Sequence, residues 1–439
     1  MSKIIQAGTA LFELILRSTV SLSRLNESRS KYSRIALVGF VVILSACSSS
    51  QNDNNTNPVN AEAPLVSADD FTYIGGFTLP GTEYGETSMN YATGVMEQFG
   101  NSLFIVGHAH HDMIAEFTIP ELVNSKLISD LNSAGNPLQF APVLNRSDGG
   151  NLQNIDQITG LEHIDGQMIV NGIEYYDAPA DNTSTTLIVA DAFNLASTAI
   201  TGYLELSGAA KAAGWISRVP SEWRGPLGGE YLTGSSSGGP FISRHSVGPS
   251  AFILQKSSVL NASVAEPAID TTKLLEFTVE NPLHTDLLND SRDNDLWTHT
   301  DSAVYGFIVP DSRTYATFGY STGHKAGVGS GITQDDGTEC IGFCSYESLD
   351  VANYYWFWDM NDLLAVKNGE MEAFSVRPYA YGEFPLPFQT SITYNQMGGA
   401  TYDSATRTLY FSVLTADNTR GEYENPPVIA AFSVSGLNN

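Results

Sequence analysis

The chain has 439 residues and sets 48 Asp and Glu against 21 Lys and Arg, a formal net charge of -27. A surface of that sign repels phosphate backbones, which excludes nucleic acid as a partner. An apolar content of 42%, with 20 Tyr, 21 Phe and 5 Trp, excludes a disordered chain.

In chain order, Arg29, Lys31 and Arg34 precede an apolar run from Ile35 to Ile43, closed by Leu44-Ser45-Ala46-Cys47. This is the order of a secretory leader, with a basic region, an apolar region and a small-residue cleavage site. The run is shorter than the roughly 20 apolar residues of a membrane span. An ordinary signal peptide or a short anchor is the plainer alternative. The ending resembles a bacterial lipobox. That resemblance implies cleavage before Cys47, lipidation of Cys47 and anchoring in a bilayer through its acyl chains. Ser48 in the next position implies the outer membrane. Residues 1–46 are then a lipoprotein signal peptide. Residues 47–66, rich in Ser and Asn, read as a flexible tether. Residues 67–439 read as one folded catalytic domain, expected to be a monomer.

From Phe71 onward the chain is a succession of short β-like runs separated by turn signals. They include Ser102–Val106, Met113–Ile119, Gln167–Val170, Thr186–Ala190, Ala251–Leu254 and Lys273–Val279. Ser302–Val309, Thr314–Tyr320, Asn353–Asp359, Ser391–Tyr394, Thr408–Val413 and Val428–Val434 follow, several with period-two alternation. Asp165-Gly166 reads as a tight hairpin turn, and Ser404–Arg407 as a second link of the same kind. Helix is expected only near Asp359–Leu364 and Ser207–Gly214. Antiparallel units repeated loosely over a long chain predict an all-β fold, a β-propeller. About 370 residues shared among seven blades gives roughly 53 each, so seven blades are expected, with six close behind. A β-sandwich pair or a β-helix is the structural alternative.

Four clusters could carry chemistry. Gly107-His108-Ala109-His110-His111 holds three of the eight histidines; if the preceding strand continues, His108 and His110 share a face and could bind a metal or act as acid and base. In Glu174-Tyr175-Tyr176-Asp177, aromatic rings at a loop rim could stack on sugar, and a phenol could carry a proton. The stretch from Arg218 through Trp223, Arg224 and Tyr231 to Arg244-His245 gathers positive charge in an acidic protein, and a guanidinium fork suits a carboxylate or sulfate. Cys340 and Cys344 either form a disulfide or, with His324 and the nearby acids, hold a structural metal.

These motifs, together with Pro220-Ser221-Glu222-Trp223, Ser243-Arg244-His245-Ser246-Val247-Gly248-Pro249 and Asp359–Gly369, give the chain from Phe71 to its end a resemblance to the β-propeller ulvan lyases of marine bacteria. The resemblance implies β-elimination in a sulfated rhamnose and uronic acid polysaccharide. Arg244 is then expected to neutralise the uronate, His108 or His110 to act as base, and Tyr175 or Tyr231 to carry the second proton. Tyr176, Trp223, Arg224 and His245 are expected to bind substrate. The resemblance further implies one structural zinc or calcium ion, matched to His324, Cys340 and Cys344, and no organic cofactor. Two other readings stay open: a glycan-binding propeller without catalysis, and a hydrolase, which needs two facing carboxylates such as Glu174 and Asp177.

Overall fold

The computed structural model describes residues 62–237, 240–389, 396–421 and 423–434. Among these residues the strands form five sheets of four or five strands, antiparallel apart from a short parallel edge strand on each five-stranded sheet, plus one two-stranded hairpin. Blade I comprises Met96–Phe99, Ser102–Val106, Met113–Thr118 and Gln139–Pro142. Blade II comprises Gln157–Ile164, Gln167–Ile173, Ser184–Val189 and Ile200–Leu206, with Ala268–Ile269 at its edge. Blade III comprises Ile216–Arg218, Tyr231–Thr233, Ala251–Leu254 and Thr271–Leu275. Blade IV comprises Ser302–Ile308, Thr314–Thr322, Val351–Asp359 and Ala380–Glu383. Blade V takes Met397–Asp403, Thr408–Val413 and Val428–Val434 from the end of the chain, and Phe71–Thr78 from its beginning. Pairing of Phe71–Thr78 with Val428–Val434 joins both ends of the domain in one blade. Such closure leaves no blade with an unsupported start.

The fold is a five-bladed propeller, which corrects the expected seven. Dividing length by blade number failed because the chain spends long segments outside the blades. Residues 276–301 carry no blade strand, and residues 323–350 loop out of blade IV with a hairpin of their own. The turn expectations hold: Asp165 and Gly166, with φ of 50° and 89°, join strands in which Ile164 faces Gln167, and Ser404–Arg407 joins Asp403 to Thr408. Helix appears at Met360–Lys367, where the Asp359 carboxylate accepts from the Asn361 N–H at 2.9 Å as an N-cap. Ser207–Gly214 contains a single 3-10 turn, Ala209–Lys211. The helix Ser221–Leu227 was not foreseen. Ser391–Tyr394, Cys47 and the leader lie outside the described residues.

The first strand of each blade is innermost, and these five strands neighbour one another around the axis. Glycine permits their close approach. A Cβ on Gly160 would strike the Gly214 carbonyl, and one on Gly399 would lie 2.6 Å from the Gly94 carbonyl. Away from the axis the blades are wedged apart by aromatic rings: Phe318 meets Phe384 at 5.1 Å and Phe411 at 5.2 Å, with Phe71 at 5.4 Å. The end of the expected tether belongs to this packing. Val66 is buried, its N–H donates to Thr314 Oγ1 at 3.0 Å, and the Tyr379 hydroxyl donates to its carbonyl at 2.7 Å.

Candidate functional site

Strand direction sorts the chemistry onto two faces. All five innermost strands start at one end of the axis, the upper face, and finish at the other. In an up-and-down blade, the loop between second and third strands therefore returns to the upper face. Four of these loops contain His108–His111, Tyr175–Asp177, Arg244–His245 and His324 with Cys340–Cys344. The connection between the first two strands of blade III, with Trp223 and Arg224, belongs to the lower face.

The upper face holds a cavity of about 290 Å³ over the axis, walled by Gln157, Tyr175, Ser236, His245, Tyr320 and Gln396 among others. A second cavity of about 490 Å³ adjoins it, sharing Tyr175 and Gln396 and reaching His299 and Phe343. No Asp or Glu occurs among the described residues lining either cavity. In a chain of net charge -27 the walls themselves thus place no carboxylate directly against an anionic ligand.

His245 is almost fully buried beside the cavity, and burial pushes its pKa down to about 4. Its imidazole is consequently neutral at ordinary pH and able to accept a proton. Tyr175 is half-exposed, its N–H held by Asp156 Oδ1 at 2.7 Å. Arg244 does not line the cavity. Its Nε donates to the Asp177 carbonyl at 3.0 Å and lies 3.5 Å from the buried Asp177 carboxylate. Its guanidinium also sits 5.5 Å from the Phe241 ring centre, and Phe241 packs on Tyr176 at 4.9 Å. Arg244 thus ties the Tyr175 loop to the His245 loop, and its charge is already balanced. This corrects the expectation that it meets the substrate carboxylate directly, and it places Tyr176 in the same brace.

Other expectations also change. The strand before the histidine turn ends at Val106, so the same-face argument for His108 and His110 does not apply. Instead His108 Nδ1 accepts from the His110 N–H at 3.1 Å, and the rings of His110 and His111 lie 5.1 and 5.0 Å from that of His108. None of the three lines either cavity. Tyr231 is buried beneath Arg218 and pushed up to about 12 by burial, so it keeps its proton. Trp223 is a core residue whose indole N–H donates to the Ser312 carbonyl at 2.9 Å. Neither can serve the upper cavity.

The Cys340 and Cys344 sulfurs are bonded to each other, and His324 Nε2 lies 2.7 Å from Asp301. A cysteine ligates zinc as its thiolate, which the disulfide removes, and His324 is paired with Asp301, so His324, Cys340 and Cys344 do not fit a metal together. Among the described residues, Glu174, Asp177 and Asp181 bring carboxylate atoms within 4.8 Å of one another, but Asp177 is committed to Arg244.

The lower face has a wider cavity, about 760 Å³, lined by Glu97, Glu162, Arg218, Arg224, Tyr305 and Arg407 among others. Glu97 and Glu162 project from the innermost strands of blades I and II and are almost fully buried. Burial raises both pKa values; at Glu162 the charge of Glu97 adds to this and Arg218, 3.0 Å away, opposes it. Thr401 Oγ1 donates to Glu97 at 3.0 Å. The pair was missed in the sequence reading. Its signal is an acid inside an otherwise enclosed strand, as in Leu161-Glu162-His163-Ile164.

No family model and no curated protein matches the chain. Among solved structures, a glycosyl hydrolase from Bacteroides ovatus is similar at 10% identity and a TM-score of 0.34, over 87% of this chain and 92% of that one. An alpha-L-arabinofuranosidase from Podospora anserina in complex with cellotriose is similar at 10% identity and 0.34, over 83% and 98%. A phage phi92 endosialidase is similar at 11% and 0.31, over 84% of this chain and 52% of that one. Likenesses this distant carry no argument about chemistry, and the blade count rests on the strand pairing.

Proposed function

We propose that the protein is a polysaccharide lyase that cleaves ulvan, a sulfated polymer containing uronic acid, by β-elimination in the upper groove. The observation that carries this reading is the meeting of a neutral, buried His245 and an accessible Tyr175 in a cavity without a lining carboxylate. In the elimination, a base takes the proton from C5 of the uronate. The C–H electron pair forms the C4–C5 double bond, the C4–O bond breaks, and the departing oxygen takes a proton. His245, the one imidazole among the described residues lining this cavity, takes the first proton as a base weakened by burial, and the Tyr175 hydroxyl gives the second. The amide groups of Gln157 and Gln396 can donate hydrogen bonds to the uronate carboxylate, whose extra negative charge in the transition state strengthens them. Arg244 acts one step back, by holding the two loops in register.

The test is ultraviolet absorbance of new unsaturated chain ends when the protein meets ulvan. A rise supports the reading; its absence on ulvan and other uronate polymers overturns it.

A hydrolase is the second reading, favoured by one observation, the buried Glu97–Glu162 pair lining the lower cavity. It requires reducing ends without unsaturation, lost in Glu162→Gln. The lyase reading expects Glu162→Gln to retain wild-type kcat for elimination once folding is verified by circular dichroism.

Anchoring at the outer membrane belongs to the same proposal. Cys47→Ala should release the protein from the membrane fraction into the soluble one, and mass spectrometry of the wild-type amino-terminal peptide should show acyl chains on Cys47. An unmodified peptide beginning elsewhere would exclude the anchor.

A further inference from the structure

The second, outer cavity of the upper face, about 490 Å³, is unexplained by the elimination itself. Its far wall is the loop out of blade IV, where Val328–Ser330 pairs with Phe343–Ser345. The Cys340–Cys344 disulfide closes the tip of this loop, the Gly331 N–H donates to the Gly342 carbonyl at 3.0 Å, and the Cys340 N–H donates to the Ile332 carbonyl at 2.9 Å. Phe343 stacks on His299 with ring centres 3.8 Å apart and planes 25° from parallel. Burial lowers the His299 pKa, so the supporting ring is neutral. One face of Phe343 is thereby covered, yet the residue remains 42% exposed and lines the cavity. Around it stand Thr300, Ser330 and Gln334, uncharged groups able to exchange hydrogen bonds with hydroxyls.

A rigid aromatic platform beside uncharged donors and acceptors suits a pyranose ring, whose C–H face is apolar and whose rim is hydroxylated. Because the cavity continues from the axial one through Tyr175 and Gln396, a sugar seated here belongs to the same chain as the sugar at His245. We propose that Phe343, fixed by His299 and the Cys340–Cys344 bridge, is a stacking subsite for a second sugar of the glycan, so that the groove holds more than one sugar of the same chain. This rests on the reading that the upper groove takes a glycan.

The test is retardation of the folded protein in native gels containing ulvan, which reads binding whether or not bonds are cleaved. Phe343→Ala is expected to weaken retention about tenfold, the scale of losing one well-placed contact, while Phe343→Trp retains it. Cys340→Ser/Cys344→Ser should weaken retention like Phe343→Ala, because the platform is no longer held. Where elimination occurs, Phe343→Ala should raise KM for polymer at unchanged kcat. Equal retention of Phe343→Ala and wild type, or no retention of wild type, overturns the subsite. Missing unsaturated ends with the retention pattern intact would overturn the lyase reading alone.

Discussion

His245→Gln is expected to lower kcat for elimination by roughly 10²–10⁴-fold, the usual contribution of a positioned general base. Tyr175→Phe should cost a similar factor if its hydroxyl protonates the leaving oxygen. The pH profile separates this account from one in which the base is an imidazole of ordinary pKa. Burial holds His245 at about 4, so the basic form dominates above that value. Log kcat/KM should climb with pH through about 4 and be level across neutrality. A base with an unperturbed imidazole pKa would instead give a limb near 6.5. The same shift has a stability consequence. The folded-state pKa is below the unfolded value of about 6.5, so the unfolded chain binds more protons between the two. His245 therefore adds stability fully above about 6.5, and that contribution falls away as the pH drops toward about 4. Urea midpoints of wild type and His245→Gln across this range measure it.

Asp301→Ala is expected to destabilise the protein by roughly 3–5 kcal/mol, the scale for breaking a buried ion pair. Asp301 is completely enclosed. Its carboxylate accepts from the Thr298 N–H at 2.9 Å, the Thr298 hydroxyl at 2.8 Å and the Thr322 N–H at 2.9 Å, and faces His324 at 2.7 Å. Removing it leaves those donors without their acceptor beneath Thr300 and Thr322, which line the outer cavity. Burial by itself would lower the His324 pKa, but the Asp301 charge and hydrogen bond outweigh it and the net shift is upward. A raised pKa in the fold means that the folded state binds the proton more tightly. The stabilisation is fully present below the unfolded value of about 6.5 and is lost as the pH rises through the folded value. His324 and His245 thus bend the stability profile in opposite directions. Urea unfolding of Asp301→Ala and wild type on either side of neutrality tests both the size and the sign.

Local features were legible where a short-range cause dominates. Asp165-Gly166 makes its hairpin because both residues tolerate positive φ, and Asp359 starts its helix because its carboxylate reaches the Asn361 N–H. The strands Ser102–Val106, Ala251–Leu254, Thr408–Val413 and Val428–Val434 lie where alternation and turn residues bound them. Blade number was not legible, because it depends on which segments pair at long range, and residues 276–301 and 323–350 are long without adding a blade. Placing Tyr175, Arg244 and His245 together was within reach, since second-to-third-strand loops share a face in any such propeller. Their roles were not. Whether Arg244 faces substrate or Asp177 depends on packing between two loops separated by four strands, and the depth at which His245 is buried sets its proton affinity. Trp223 and Tyr231 show the converse: the resemblance implied a substrate contact for the first and a proton carrier for the second, and blade packing enclosed both.

The central claim is elimination without water entering the products, and it is tested most directly by digesting ulvan with the full protein in heavy-oxygen water and weighing the fragments. The account predicts unsaturated fragments with no heavy oxygen incorporated at the broken bond, formed by wild type and lost in His245→Gln. Saturated fragments carrying one heavy oxygen per cleavage, still formed by His245→Gln and lost in Glu162→Gln, would contradict it and move the chemistry to the lower face.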